Sequence, residues 1–123
     1  ETRKIQWAGA NNPLWIIRSG VDEVDVIKGD QQPIGVYATN DPFTNHELQL
    51  NKGDSIYLFS DGYPDQFGGK KGKKYKYENL KRFLLSISNK DMETQQTMLN
   101  EEFDCWKEGF EQIDDVCVMG VRI

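Results

Sequence analysis

Four aspartates stand where this chain could do chemistry. Asp61 and Asp65 lie in the run Phe59-Ser60-Asp61-Gly62-Tyr63-Pro64-Asp65, and Asp114-Asp115 precede Val116. Asp61 ends one apolar strand-like run and Asp114 begins another. If those strands lie antiparallel and adjacent, their carboxylates meet at one edge of a sheet, which suits a hard divalent cation. An Asp-Gly pair after a strand also makes an ordinary turn, because Gly tolerates positive φ and Asp caps locally. Two features favour a site: Pro64 stiffens the loop, and Asp65 follows closely enough for a single bend to aim both carboxylates at one cavity. Asp114 and Asp115 project to opposite sides of an extended chain, so one can face a site while the other caps or meets water. Two carboxylates about 5 Å apart repel by roughly 3 kcal/mol at an effective dielectric of about 20. A divalent cation removes that repulsion, and all-oxygen ligation suits Mg²⁺ or Mn²⁺ rather than Zn²⁺.

Other reactive side chains read more plainly. His46 is the sole histidine and fits a strand face beside Leu48 better than a ligand role. Cys105 and Cys117 match no paired metal spacing, and their apolar surroundings predict buried free thiols in a reducing compartment. Neither cysteine is followed by arginine at the spacing of a thiol phosphatase, and Gly68-Gly69 beside lysines is a poor phosphate cradle. The run Lys70-Lys71-Gly72-Lys73-Lys74-Tyr75-Lys76 reads first as a solvated loop. Its functional alternative is a basic flap beside the acidic site.

The elements that must position these residues follow from periodicity. Lys4 to Ala8, Leu14 to Arg18 and Glu23 to Ile27 read as short strands in an antiparallel meander, with Trp7 and Trp15 packed in the sheet layer. The stretch from Lys28 to Pro42 is irregular, with a tight crossing at Pro33-Ile34-Gly35. Thr44 to Leu50 alternates, and Ser55 to Ser60 is a central apolar strand. Leu80, Phe83, Leu84 and Ile87 mark one helix. Met92, Leu99, Phe103, Trp106 and Phe110 mark a second, with Asp91 as N-cap. Val116 to Ile123 is nearly all apolar and predicts a strand buried on both faces. Strands, then helices, then a strand make an α+β layered domain.

The chain has 123 residues, enough for one domain that buries roughly two-thirds of its unfolded surface. Three Trp, five Tyr and six Phe give too much aromatic mass for disorder. A net charge of −5 disfavours nucleic acid as a partner. No apolar run reaches the length of a membrane span and no signal peptide is present, so a cytoplasmic location is expected.

Together, Ala8-Gly9-Ala10-Asn11-Asn12-Pro13-Leu14, Pro33-Ile34-Gly35, Leu58 to Asp65, and Asp114-Asp115-Val116 leading to Arg122 resemble the SpoIIE-type branch of the metal-dependent Ser/Thr protein phosphatases, the PPM family. The resemblance spans essentially the whole chain. It implies an antiparallel β-sandwich flanked by helices, with a metal cluster at its edge. It implies two or three Mn²⁺ or Mg²⁺ ions in a complete domain, with Asp61 and Asp114 as ligands of the metal pair, Asp65 helping to hold a third ion, and Asp115 in support. It further implies hydrolysis of phosphoserine or phosphothreonine on a phosphoprotein such as an anti-sigma-factor antagonist, by a metal-activated water and without a covalent intermediate.

The sequence departs from the family in one respect. The family's first half carries another Asp-Gly metal motif, and none stands here: Asp22, Asp25 and Asp30 are followed by Glu, Val and Gln. Residues 1–123 are therefore expected to be the C-terminal half of the domain, with weak metal affinity, little or no activity, and exposed sheet edges that favour a homo-oligomer. The alternative is a non-catalytic PPM-like regulatory or protein-interaction module. A histidine-rich metal phosphodiesterase is disfavoured because His46 stands alone.

Overall fold

The computed structural model describes residues 2–36 and 41–123. In chain order the elements are β1 (Lys4–Trp7), β2 (Leu14–Ile17), β3 (Val24–Ile27), β4 (His46–Gln49), β5 (Ser55–Phe59), β6 (Phe67–Gly68), β7 (Lys73–Lys74), α1 (Tyr77–Ile87), α2 (Met92–Lys107) and β8 (Val118–Arg122). Part of the irregular stretch expected between Lys28 and Pro42 lies outside the described residues. The chain folds as two compact units, Glu1–Leu58 with Val121–Ile123, and Phe59–Gly120. The α+β class holds, with antiparallel sheets and two helices.

The first unit is built on β-sheet. A four-stranded sheet has the order β3-β2-β5-β8, and β2 runs antiparallel to both β3 and β5. All four residues of β2 are buried, as expected of a strand flanked on both sides by others and rich in β-branched side chains. Leu14, Ile16 and Leu50 form a buried core cluster, and Ile5, Trp7, Ile27, Leu48, Ile56 and Ile123 pack against it. Burying each such aliphatic side chain stabilises by about 1.5–3 kcal/mol. Trp15 is also buried, opposite Tyr57 in the sheet register.

The predicted meander needs correcting. β2 and β3 pair, but β1 pairs with β4, Trp7 opposite His46. The connection from β1 to β2 is not a hairpin turn: Asp30 N donates to Gly9 O (2.8 Å) and Asn11 N donates to Asp30 O (2.7 Å). These bonds tie the turn to the end of the β2–β3 hairpin instead of folding β2 back on β1. His46 packs beside Trp7 with ring centroids 5.5 Å apart, the strand-face role its pattern predicted.

The second unit carries both helices. Leu80, Leu84 and Ile87 of α1 are buried, the stripe read from the sequence. Asp91 caps α2, its Oδ1 accepting from Thr94 N at 2.7 Å, and Gln95, Leu99 and Phe103 turn inward. Phe110 departs from the predicted helical stripe. The helix ends at Lys107, so Phe110 lies beyond it, exposed, with its ring against Gly72.

Two further expectations are overturned. Both cysteines are free but exposed. Cys105 lies two positions from the inward Phe103 on α2, away from its buried face, and Cys117 alternates with the more enclosed Val116 and Val118. The terminal strand is not buried on both faces either: β8 is an edge of its sheet, and Met119 and Val121 are 56% and 42% exposed.

Candidate functional site

All four candidate aspartates belong to the second unit. After β5 the chain bends sharply, and Asp65 N donates to Asp61 O at 2.9 Å, closing one turn with an aspartate at each end. Between them, Gly62, Tyr63 and Pro64 are buried. Tyr63 anchors the turn: its hydroxyl donates to Leu99 O on α2 (2.9 Å), and its ring packs 5.0 Å from Phe103 and 5.4 Å from Tyr75. Burial first, then the neighbouring Tyr75 and the Glu102 and Asp104 carboxylates, push the Tyr63 phenol far above its ordinary range, so it stays a neutral donor.

The Asp114–Asp115 segment is held directly against this turn. Ser60 is the latch. Its N donates to Cys117 O (2.9 Å), its hydroxyl donates to Asp115 O (3.1 Å), and Ser60 Oγ also accepts from Cys117 N (2.9 Å). A β-carbon on Gly62 would stand 2.2 Å from Asp115 O, so glycine here permits a backbone approach that no other residue allows. The chain thus leaves β5 where it enters β8, as the sequence anticipated for adjacent antiparallel strands.

The side chains are disposed less symmetrically. Asp61 and Asp65 both act on Tyr77 at the start of α1, whose phenol is pushed up first by burial and then by Asp65 and Asp61. Asp65 Oδ1 also pairs with Lys74 Nζ at 3.5 Å, an exposed contact worth no more than about 1 kcal/mol. Asp114 turns back on its own segment, with Oδ1 accepting from Asp115 N (2.8 Å). Among the described residues, no three carboxylate, imidazole or thiol side chains come together as a group able to hold a metal ion. The oxygen donors have the right chemistry for Mg²⁺ or Mn²⁺, but Asp61, Asp65 and Asp114 do not by themselves enclose one.

Several supporting residues gave no sequence signal. Gln66 is buried and bridges the turn to the end of α2: its Nε2 donates to Glu111 O (2.8 Å), and its backbone carbonyl accepts from Trp106 Nε1 (2.8 Å) and from Tyr75 N (2.9 Å). Gly68 lies so close to the chain at Trp106 that a β-carbon would meet Trp106 O at 1.9 Å. Only the aromatic density around the acid motif, Tyr63, Tyr75 and Tyr77, hinted at this buttress.

The family Stage II sporulation protein E (SpoIIE) matches residues 1–123. The chain belongs to this family. The SiaA-PP2C domain of Pseudomonas aeruginosa is similar in structure with a TM-score of 0.87 and 25% identity, over 99% of this chain and 47% of that one. A structure of the PP2C phosphatase domain and a fragment of the regulatory domain of SpoIIE from Bacillus subtilis has a TM-score of 0.73 and 27% identity, over 98% of this chain and 33% of that one. The Mn-presoaked phosphatase domain of the same protein has a TM-score of 0.63 and 27% identity, over 98% of this chain and 49% of that one. This SpoIIE-family chain thus spans about half the length, or less, of these solved structures. No curated protein matches it. No helix among the described residues is long and apolar enough to cross a membrane.

Proposed function

We propose that residues 1–123 form the C-terminal half of a Mn²⁺- or Mg²⁺-dependent protein phosphatase domain acting on phosphoserine or phosphothreonine. The observation that carries this reading is the contact between the Asp61–Asp65 turn and the Asp114–Asp115 segment, fixed by Ser60 and Gly62 in a SpoIIE-family chain. A bound pair of divalent ions would supply a water of lowered pKa beside the phosphate. The part of this chain is to present Asp61 and Asp114 to one ion pair and Asp65 to a weaker third ion, on turns braced by Tyr63 and Gln66. The remaining ligands come from outside these residues, so the chain alone has little or no activity. A phosphorylated anti-sigma-factor antagonist in the cytoplasm is the substrate class we favour.

One observation favours a second reading. The three aspartates do not converge, as expected of a non-catalytic PPM-like module that binds partners. Mn²⁺-dependent phosphate release from a phosphoserine peptide by the full-length gene product separates the two. The phosphatase reading expects release that falls at least about a hundredfold in Asp61→Asn, since even supporting residues of metal sites contribute 10–100-fold. Release unaffected by that substitution would contradict it.

A further inference from the structure

The lysine-rich run is not the featureless solvated loop that its composition suggests. Lys73 and Lys74 form β7, which pairs antiparallel with β6 (Phe67 opposite Lys74, Gly68 opposite Lys73), and the turn between them displays Lys70 and Lys71. This hairpin has a stiff base. Gly69 N donates to Trp106 O at 3.0 Å, the Trp106 ring lies under Gly69, and the Phe110 ring lies under Gly72. Lys74 Nζ stands 5.9 Å from the centre of the Phe67 ring while reaching Asp65, so the hairpin is tied directly to the acid turn. Lys70, Lys71 and Lys73 are exposed and make no ion pair among the described residues.

Charge gives this hairpin its meaning. The chain holds twenty acidic residues against fifteen basic ones; without the five lysines of residues 70–76 it would hold twenty against ten, a balance of −10. The run itself contains no acid. An anionic partner meets a net negative charge over the chain as a whole and a concentration of positive charge at this hairpin. Clustered charge of one sign raises encounter rates and fixes orientation more than it adds affinity.

We propose that the β6–β7 hairpin, through Lys70, Lys71 and Lys73, is the docking surface for an acidic phosphoserine-bearing segment of a protein substrate. This rests on the phosphatase reading and names the substrate class of that same site. The test is fluorescence anisotropy on the full-length gene product. Its probes are an acidic phosphoserine peptide, its unphosphorylated twin, and a single-stranded DNA of equal charge, at low and moderate salt. The triple variant Lys70→Glu, Lys71→Glu, Lys73→Glu is compared with the triple Arg variant, which keeps the charge. We expect the phosphopeptide to bind wild type and the Arg variant alike, at least tenfold more weakly to the Glu variant, with affinity falling as salt rises, and to bind more tightly than its twin or the DNA. Equal binding to wild type and Glu variant would overturn the proposal, as would DNA bound as tightly and lost as completely. Phosphate release is measured in parallel. Hairpin-dependent binding without turnover supports the docking surface and contradicts the phosphatase reading; turnover and binding both indifferent to charge reversal do the opposite.

Discussion

At the scale of single residues, Gly62 decides how close the two acid segments come. A side chain there must push away the Asp115 carbonyl, since its β-carbon would stand 2.2 Å from that oxygen. Overpacking of this kind costs about 1–3 kcal/mol. Gly62→Ala is expected to sit at the upper end, about 3 kcal/mol, measured by urea unfolding, because the obstacle is backbone rather than a flexible side chain. Unchanged stability would mean that the Asp61 turn and the Asp114 segment are not in contact. Lys76 poses the opposite case. Its φ of 76° and ψ of 152° belong to a region that favours glycine, and the conformation is held because Lys76 N donates to Pro64 O at 2.7 Å. Lys76→Gly should therefore raise stability by about 1 kcal/mol in the same assay, with the hydrogen bond retained.

At the scale of elements, Asp54 ties the turn before β5 to the end of β2. Its Oδ1 accepts from Ser19 N (2.9 Å), and its Oδ2 accepts from Asn51 N (2.7 Å) and pairs with Arg18 Nη1 (3.0 Å). Burial alone would raise this carboxyl, but the hydrogen bonds and the Arg18 charge outweigh it and hold it below its ordinary 3.8. A folded pKa below the unfolded one contributes stability above the unfolded value and loses it as pH falls through the folded value. Asp54→Asn should thus cost about 2 kcal/mol at pH 7, and its deficit against wild type should shrink below pH 3.8, followed by urea unfolding across pH. A deficit constant with pH would contradict the charge-based account. Asp91→Ala should cost about 1 kcal/mol by removing the α2 cap, read as a lower thermal midpoint.

Elements also show what could be read in advance. The helices were legible because Leu80, Leu84 and Ile87 repeat at helical spacing and Asp91 is a capping residue by chemistry. The alternation of His46, Leu48 and Leu50 placed one face of β4 correctly. The β1–β4 pairing was not legible, because it joins residues as distant in sequence as Trp7 and His46. Nor was the β6–β7 hairpin: its strands are two residues each, too short for periodicity, and it is organised by Trp106 and Phe110 from elsewhere in the chain. The exposure of Cys105 and Cys117 is not legible in the sequence, because their apolar neighbours along the chain do not enclose them in space. At the candidate site, the backbone adjacency of the two acid motifs followed from strand logic, while the inward turn of Asp114 onto its own segment depended on local hydrogen bonding.

At the scale of the whole molecule, β3 and β8 are the edges of the four-stranded sheet, and Met119 and Val121 leave apolar surface exposed on β8. Open edges with apolar faces invite strand pairing. We expect residues 1–123 to self-associate, seen as a dimer or larger species in sedimentation velocity; a clean monomer across micromolar concentrations would contradict this. On the proposed phosphatase reading, the aspartates are one part of a metal site. Calorimetric titration with Mn²⁺, of residues 1–123 and of the full-length gene product side by side, tests that most directly. The account predicts micromolar binding to the full-length product and none at those concentrations to residues 1–123. Micromolar binding to residues 1–123 alone, abolished by Asp61→Asn, would contradict it.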